Sequence, residues 1–191
     1  MTGRTHDLAA ITALGIVLSI YPVHSISLAT LLLALLANQI GGITPDIDQP
    51  TAPFWRNLPV GGFFGRLIHK MLGGHRFLTH SLIGVGLFAA VSNLLLKFLH
   101  PILPHIDIQL VWYSFLIGLV SHLIMDTFTK EGVPWLLPIP VKFGIPPIKA
   151  LRITTGKLTE KALFVLLLMA DIWYVAAHYQ QLIAIIHLRV V

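Results

Sequence analysis

The chain has 191 residues, 55% of them hydrophobic and only 11% charged, and its mean hydropathy is +0.81; a soluble domain carries about 25% charged residues, so the composition points to an integral membrane protein. The absence of cysteine excludes disulfides, thiolate–zinc sites and cysteine nucleophiles, and leaves histidine and carboxylate as the available metal ligands. A formal net charge of +5 comes with no basic stripe interleaved with aromatics and no nucleic-acid motif, which argues against a nucleic-acid partner and for basic residues placed by membrane topology.

The opening "MTGRTHD" is too polar and short for a signal sequence, so the first apolar run is expected to stay in place. Apolar runs follow at 8–23, 26–44, 81–99, 110–128 and 161–186, each compatible with the ~20 residues that span a bilayer core. Each is predicted to form a helix. "YPVHSIS", where Pro22 breaks the first helix, makes a hairpin of the first two runs, and "LHPILPHID" at 99–107 gives the next reversal. Residues 129–160 hold prolines at 134, 138, 140, 146 and 147 and are expected to form an irregular surface loop. With no linker or repeat to divide it, the chain is expected to be all-α: a polytopic bundle of about five transmembrane helices, in a single domain covering 1–191.

Following the chain back and forth across a membrane sorts the charges. Eleven basic residues, including Arg4, Arg66, Lys70, Arg76 and Lys161, fall on the face of the N-terminus, and only Lys97 and Arg189 fall on the other. By the positive-inside rule the first face is expected to be cytoplasmic. The same zigzag carries four polar motifs to that face: His6 and Asp7 before the first run, "TPDID" after the second, "HRFLTHS" before the third and "SHLIMD" at the end of the fourth. Polar groups of this kind cost about 2.5–3.5 kcal/mol each near hydrocarbon, so their convergence suggests one shared, hydrated site.

His122 and Asp126 are four residues apart and share a helix face, where imidazole and carboxylate can bind one ion or simply bond to each other. His75 and His80 can converge if His75 sits in the loop that Gly73 and Gly74 allow to bend, while Thr79 or Ser81 caps the next helix. Arg76 either meets an acidic lipid head group or orients a phosphoester. Asp46 and Asp48, two apart, point to one side if the segment is extended, as paired metal ligands require, or end the second helix in an Asx-type turn. His69 lies on the same face without a partner by spacing, and His24, His100 and His105 fall on the other. Asp171 and His178 share a helix face seven residues apart and read as a polar contact inside the bundle; Trp55 and Trp135 read as core or interface anchors.

In order, "RTHDLAA", "PDID", "HRFLTHSL" and "GLVSHLIMDTFTKEGVPWLLP" resemble the YdjM-like family of inner-membrane-associated metal-dependent hydrolases. The resemblance spans most of the chain, and its most specific pieces are His-Arg-x-x-Thr-His-Ser and Ser-His-x-x-x-Asp followed by Thr129, Gly132 and Pro138. It implies a location in the inner membrane and marks His6, Asp46, Asp48, His75, His80, His122 and Asp126 as the polar signature of a metal-dependent hydrolase. A similar order of elements in zinc-dependent phospholipase C proteins suggests, by analogy, phosphoester chemistry on a membrane lipid or lipid-linked substrate.

On this reading His6, Asp46, His75, His80, His122 and Asp126 bind one or two divalent ions, with zinc expected and manganese or magnesium as alternatives. Asp48 is a further ligand or the general base, and Arg76 holds substrate charge. Two other classes stay open: a noncatalytic membrane protein with a structural metal or polar site, and a transporter of a metal ion or proton. A transporter needs access from both faces, whereas these motifs gather at one.

Overall fold

The computed structural model describes residues 1–21, 26–74, 76–139 and 141–187. Within them the apolar runs fold as helices: α1 (Gly3–Ile20), α2 (Leu28–Ile43), α5 (Leu82–Leu99), α6 (Ile108–Thr127), α7 (Leu158–Ala177) and α8 (Tyr179–His187). Two short helices precede α5, α3 (Pro53–Arg56) and α4 (Gly61–Met71), in a stretch where no helix was expected from the apolar runs. Pro22 and His24 lie outside the described residues. The final apolar run is divided between α7 and α8 at His178.

Three stretches among the described residues are long and apolar enough to cross a membrane: Leu28–Asp48, Leu82–Ile102 and Ile108–Thr127. The first helix starts earlier than its apolar run and takes Arg4, His6 and Asp7 into its opening turns, and α7, from Leu158, takes Glu160 and Lys161 into its first turn.

Small residues decide how the bundle closes. A β-carbon built on Gly118 of α6 would collide with the carbonyl oxygen of Asn38, and one on Gly41 of α2 with that of Phe115, so only hydrogen atoms fit where these helices cross. Fully buried Asn38 locks the register, its Nδ2 donating to the Ser114 carbonyl at 3.1 Å. Asn38→Ala is expected to cost about 1 kcal/mol, read as a lower thermal midpoint in detergent. Outside this pair, Trp112 Nε1 donates to the Ala89 carbonyl to hold α5 against α6, and the Tyr174 ring of α7 covers Gly15 of α1.

The two ends of the bundle differ. At one, Asp107 caps α6, accepting from Gln109 N and Leu110 N at 3.0 Å, and its own amide donates to Thr30 Oγ1 at the start of α2. At the other end the chain is irregular. Residues 44–48 tighten into a 3₁₀ turn and a second 3₁₀ turn covers Leu78–His80, while the stretch after α6 folds back through paired Val133 and Phe143 backbones. Trp135 anchors that stretch: its carbonyl accepts from Leu82 N, and its Nε1 donates to Thr127 Oγ1. Glu160 ties the start of α7 to the start of α1, accepting from Thr2 N, Thr2 Oγ1 and Thr5 Oγ1.

Candidate metal centre

His6 enters this irregular end from the first turns of α1, Asp46 and Asp48 from the 3₁₀ turn after α2, His80 from the turn before α5, and His122 and Asp126 from the last turns of α6. His6, His80, His122 and Asp126 are at most 1% exposed, and Asp46 is half-buried at 24%. The fold thus brings together five of the six expected ligands. His75 lies outside the described residues.

The imidazoles are aimed by what they touch on their outer side. His122 Nδ1 lies 2.6 Å from the Gly42 carbonyl; a carbonyl only accepts, so Nδ1 carries the hydrogen and Nε2 is left with a bare lone pair turned inward. That atom is buried, has no hydrogen-bond partner among the described residues, and stands 3.6 Å from Asp46 Oδ1 and 3.8 Å from Asp126 Oδ2. His80 is bracketed: its Nδ1 meets Thr79 Oγ1 at 2.9 Å and Asp48 Oδ2 at 3.5 Å, and its Nε2 faces Asp46 Oδ1 at 3.8 Å and Asp126 Oδ2 at 3.6 Å. The His6 ring stacks on that of His122 with centroids 3.7 Å apart, and its Nε2 is 3.3 Å from Asp126 Oδ1.

These spacings suit a shared cation. Two ligand atoms at the usual zinc distance of about 2.0–2.2 Å from a tetrahedral ion lie about 3.3–3.6 Å apart, close to the 3.3–3.8 Å measured between the inward-facing atoms. Two overlapping trios, His6–His122–Asp126 and Asp46–His80–His122, each bring one ligand atom per residue within 4.8 Å of the others. Because Nδ1 of His122 is committed to Gly42, its single inward nitrogen serves one ion, and the trios describe one centre unless a carboxylate bridges to another. Burial alone would strip charge from His80, but Asp126 and Asp48 outweigh it and raise its pKa above the ordinary histidine value, so the pocket favours positive charge there.

Asp46 and Asp48 are not on one side of an extended strand. The 3₁₀ turn separates them so that they reach His80 from opposite ring nitrogens. Asp48 is fully buried and accepts from Arg76 N at 3.0 Å and from Thr79 Oγ1. Its contact is with the outer nitrogen of His80, the place of a group that orients a ligand.

Arg76 also departs from its expected position. Its guanidinium is buried, with Nη2 2.6 Å from Asp126 Oδ2 and Nη1 donating to Thr129 Oγ1 at 2.9 Å, so it neutralises the centre from within. The residue adopts φ +57, uncommon without glycine, which turns its amide onto Asp48; Gly73 and Gly74, at φ +79 and +99, make the bend before it. The other oxygen of Asp126 accepts from the Met1 amino group at 2.7 Å. Of the two capping candidates Ser81 takes that role, accepting from Gly84 N, which frees Thr79 for the centre.

Sequence reading gave no role in the site to three contributors. His69 has a partner after all, its Nδ1 lying 2.8 Å from the Asp48 carbonyl. Thr129 steadies Arg76, and the Gly42 carbonyl sets the tautomer of His122. A backbone acceptor leaves no signal in residue type, though the paired glycines mark where backbone comes close. Asp171 and His178 do not meet: His178 Nδ1 lies against the Tyr174 carbonyl in its own helix, and Asp171 lies near Thr12 of α1.

Beside Asp46 opens a cavity of about 820 Å³. Arg4 and Lys161 line it together with the acidic Asp7 and Glu160 and apolar Ile43, Phe54, Phe164 and Val165, so two cations, two further carboxylates and a greasy wall adjoin Asp46, the partly exposed member of the centre among the described residues.

Comparison with known proteins agrees with the membrane character of these helices. The family model described as YdjM inner membrane protein matches residues 1–186. The chain is 25% identical over 174 residues to the uncharacterized protein YvsG of Bacillus subtilis (strain 168), covering 91% of this chain and 94% of that one. It is 28% identical over 137 residues to the inner membrane protein YdjM of Escherichia coli (strain K12), and equally to that of Shigella flexneri, covering 69% of this chain and 61% of each relative. No solved structure matches. With nearly its whole length matched by one family model and its apolar helices in keeping with the membrane location named for its relatives, the chain belongs to the YdjM family of inner membrane proteins.

Proposed function

We propose that this protein is a membrane-bound, metal-dependent hydrolase acting on a phosphoester or lipid-linked substrate at the cytoplasmic face of the inner membrane. The observation that carries the reading is the convergence of buried imidazole and carboxylate groups from four separate chain segments, with the bare His122 Nε2 turned toward Asp46 and Asp126. His6, Asp46, His80, His122 and Asp126 hold the divalent ion, and His75 joins them by its place in the same motif. Imidazole with carboxylate favours zinc, with manganese or magnesium as alternatives. A bound ion of this kind lowers the pKa of its water to about 7 and polarises a scissile oxygen. Five transmembrane segments, with the centre on the basic face, complete the topology; the eleven-to-two distribution of basic residues supports the orientation.

The chain's own groups divide the remaining work. Asp48 acts through His80 as a positioning residue, fixing the ring by its outer nitrogen. Asp48→Asn is expected to weaken metal retention about 10–100-fold while leaving the helices assembled, measured by competition with a chelator. Arg76 compensates Asp126, which leaves Arg4 and Lys161 to anchor a substrate phosphate in the cavity while Phe54, Phe164 and Val165 take its apolar part. Losing both cations, in Arg4→Gln/Lys161→Gln, is expected to raise KM about tenfold or more with little change in kcat.

The near-complete burial of four ligands favours a second reading, a structural metal in a closed shell. Asp46 separates the two, because it lines the cavity and is partly exposed. The test is turnover of phospholipids and phosphoesters by metal-loaded protein in nanodiscs. Hydrolysis that disappears on chelation and in Asp126→Asn is expected; a metal-replete protein that turns over none of them would refute the hydrolase and leave the structural site.

A further inference from the structure

Helix α4 divides its residues into three stripes at four-residue spacing. Gly61, Gly65 and His69 face the protein: the glycines are buried, a β-carbon on Gly65 would press on Pro50 and Trp55 at 3.0 Å, and His69 bonds to the Asp48 carbonyl. Phe63, Leu67 and Met71, joined by Phe64, form an outward apolar stripe, with Phe63 60% and Met71 71% exposed. Arg66 and Lys70 flank it and are also exposed. No other described helix approaches this segregation, and a helix with an apolar face bordered by cations is built to lie in a membrane surface.

Position and charge identify what covers the apolar stripe. The helix lies between Asp48, where one candidate span ends, and Leu82, where another begins, so both flanks tie it to the same membrane face. Between Asp48 and Leu82 the sequence has no acidic residue, against the exposed Arg56, Arg66 and Lys70. The exposed side chains Phe54, Leu58 and Val60 continue the apolar surface toward α3.

We propose that α4 is an in-plane membrane helix that docks on anionic phospholipid, with Phe63, Phe64, Leu67 and Met71 at the headgroup–acyl boundary and Arg66 and Lys70 on lipid phosphates. This docking does not depend on the chemistry of the centre, but through His69 the lipid-facing helix sits one hydrogen bond from Asp48.

The chain has no cysteine, so single labels are clean. Full-length Phe63→Cys and Met71→Cys proteins, each carrying an environment-sensitive fluorophore, are placed in nanodiscs of phosphatidylcholine with or without phosphatidylglycerol. Quenching by lipids with a shallow nitroxide and shielding from aqueous iodide are expected at both positions. Phosphatidylglycerol should raise the docked-to-undocked ratio by roughly fivefold per cation, and Arg66→Gln/Lys70→Gln, which touches only exposed side chains, should remove that gain. Probes open to iodide would overturn the proposal, as would probes shielded from both quenchers, which would mean a protein partner or a second copy on this face. Equal docking in both lipid compositions would overturn the anionic preference.

Discussion

Asp126→Asn is expected to abolish metal retention and to destabilise the protein by about 3–5 kcal/mol, the cost of leaving one member of a buried ion pair alone. The carboxylate is where the centre closes: His6 Nε2 approaches Oδ1 at 3.3 Å, and Arg76 Nη2, His80 Nε2 and His122 Nε2 face Oδ2 at 2.6, 3.6 and 3.8 Å. Asparagine keeps the volume and loses the charge, so the buried Arg76 guanidinium stays in place with Thr129, the Gly132 carbonyl and the exposed Glu131, 3.5 Å from its Nε, to receive it. Thermal unfolding in detergent reads the stability loss. Adding Arg76→Gln should recover part of it, since the uncompensated cation goes too, while metal stays lost. A double variant no more stable than Asp126→Asn would show that the ion pair does not govern this end of the bundle.

Gly118→Leu should have the second largest effect, at least ~3 kcal/mol, although it touches no ligand. A side chain at 118 collides with the Asn38 carbonyl, so α2 must move away from α6. That movement carries the Gly42 carbonyl off His122 Nδ1 and frees the ring to turn, so metal affinity should fall about 10–100-fold with it. Gly86→Leu on α5 is the control: nothing lies within 4 Å of a β-carbon there, and its effect should stay within about 0.5 kcal/mol. Equal stability of the two variants, compared by thermal unfolding, would remove the close α2–α6 crossing as the support of the centre.

How far residues alone revealed this depends on how local each signal is. The His122–Asp126 pair was legible because four-residue spacing in a helix fixes relative direction, and both lie in one unbroken apolar run. Asp46 and Asp48 misled because period-two reasoning holds only for extended chain; Thr44–Asp48 instead continues α2 as a tighter helix, and a two-residue step there turns the carboxylates apart. Polar residues at 3–7 read as a flanking segment, yet they are helical because the fold supplies their partners: Glu160 for Thr5, and the centre for His6. Helix α4 escaped because it is far shorter than a membrane span, though its spacing of glycine, apolar and basic residues is visible once a surface helix is sought. Burial of Arg76 had no sequence signal, since its partners arrive from α6 and the loop after it, about fifty residues away.

The most direct test of the centre is the divalent metal content of protein purified in detergent, exchanged into zinc, manganese or magnesium in turn, and desalted before elemental analysis. The native chain is expected to keep a single ion, His122→Ala and Asp126→Asn to keep none, and His105→Ala, altered at the opposite end of the bundle, to match the native value. Equal metal in the native chain and in both ligand variants, or no retention of any of the three metals by the native chain, would contradict a metal centre at His6, Asp46, His80, His122 and Asp126.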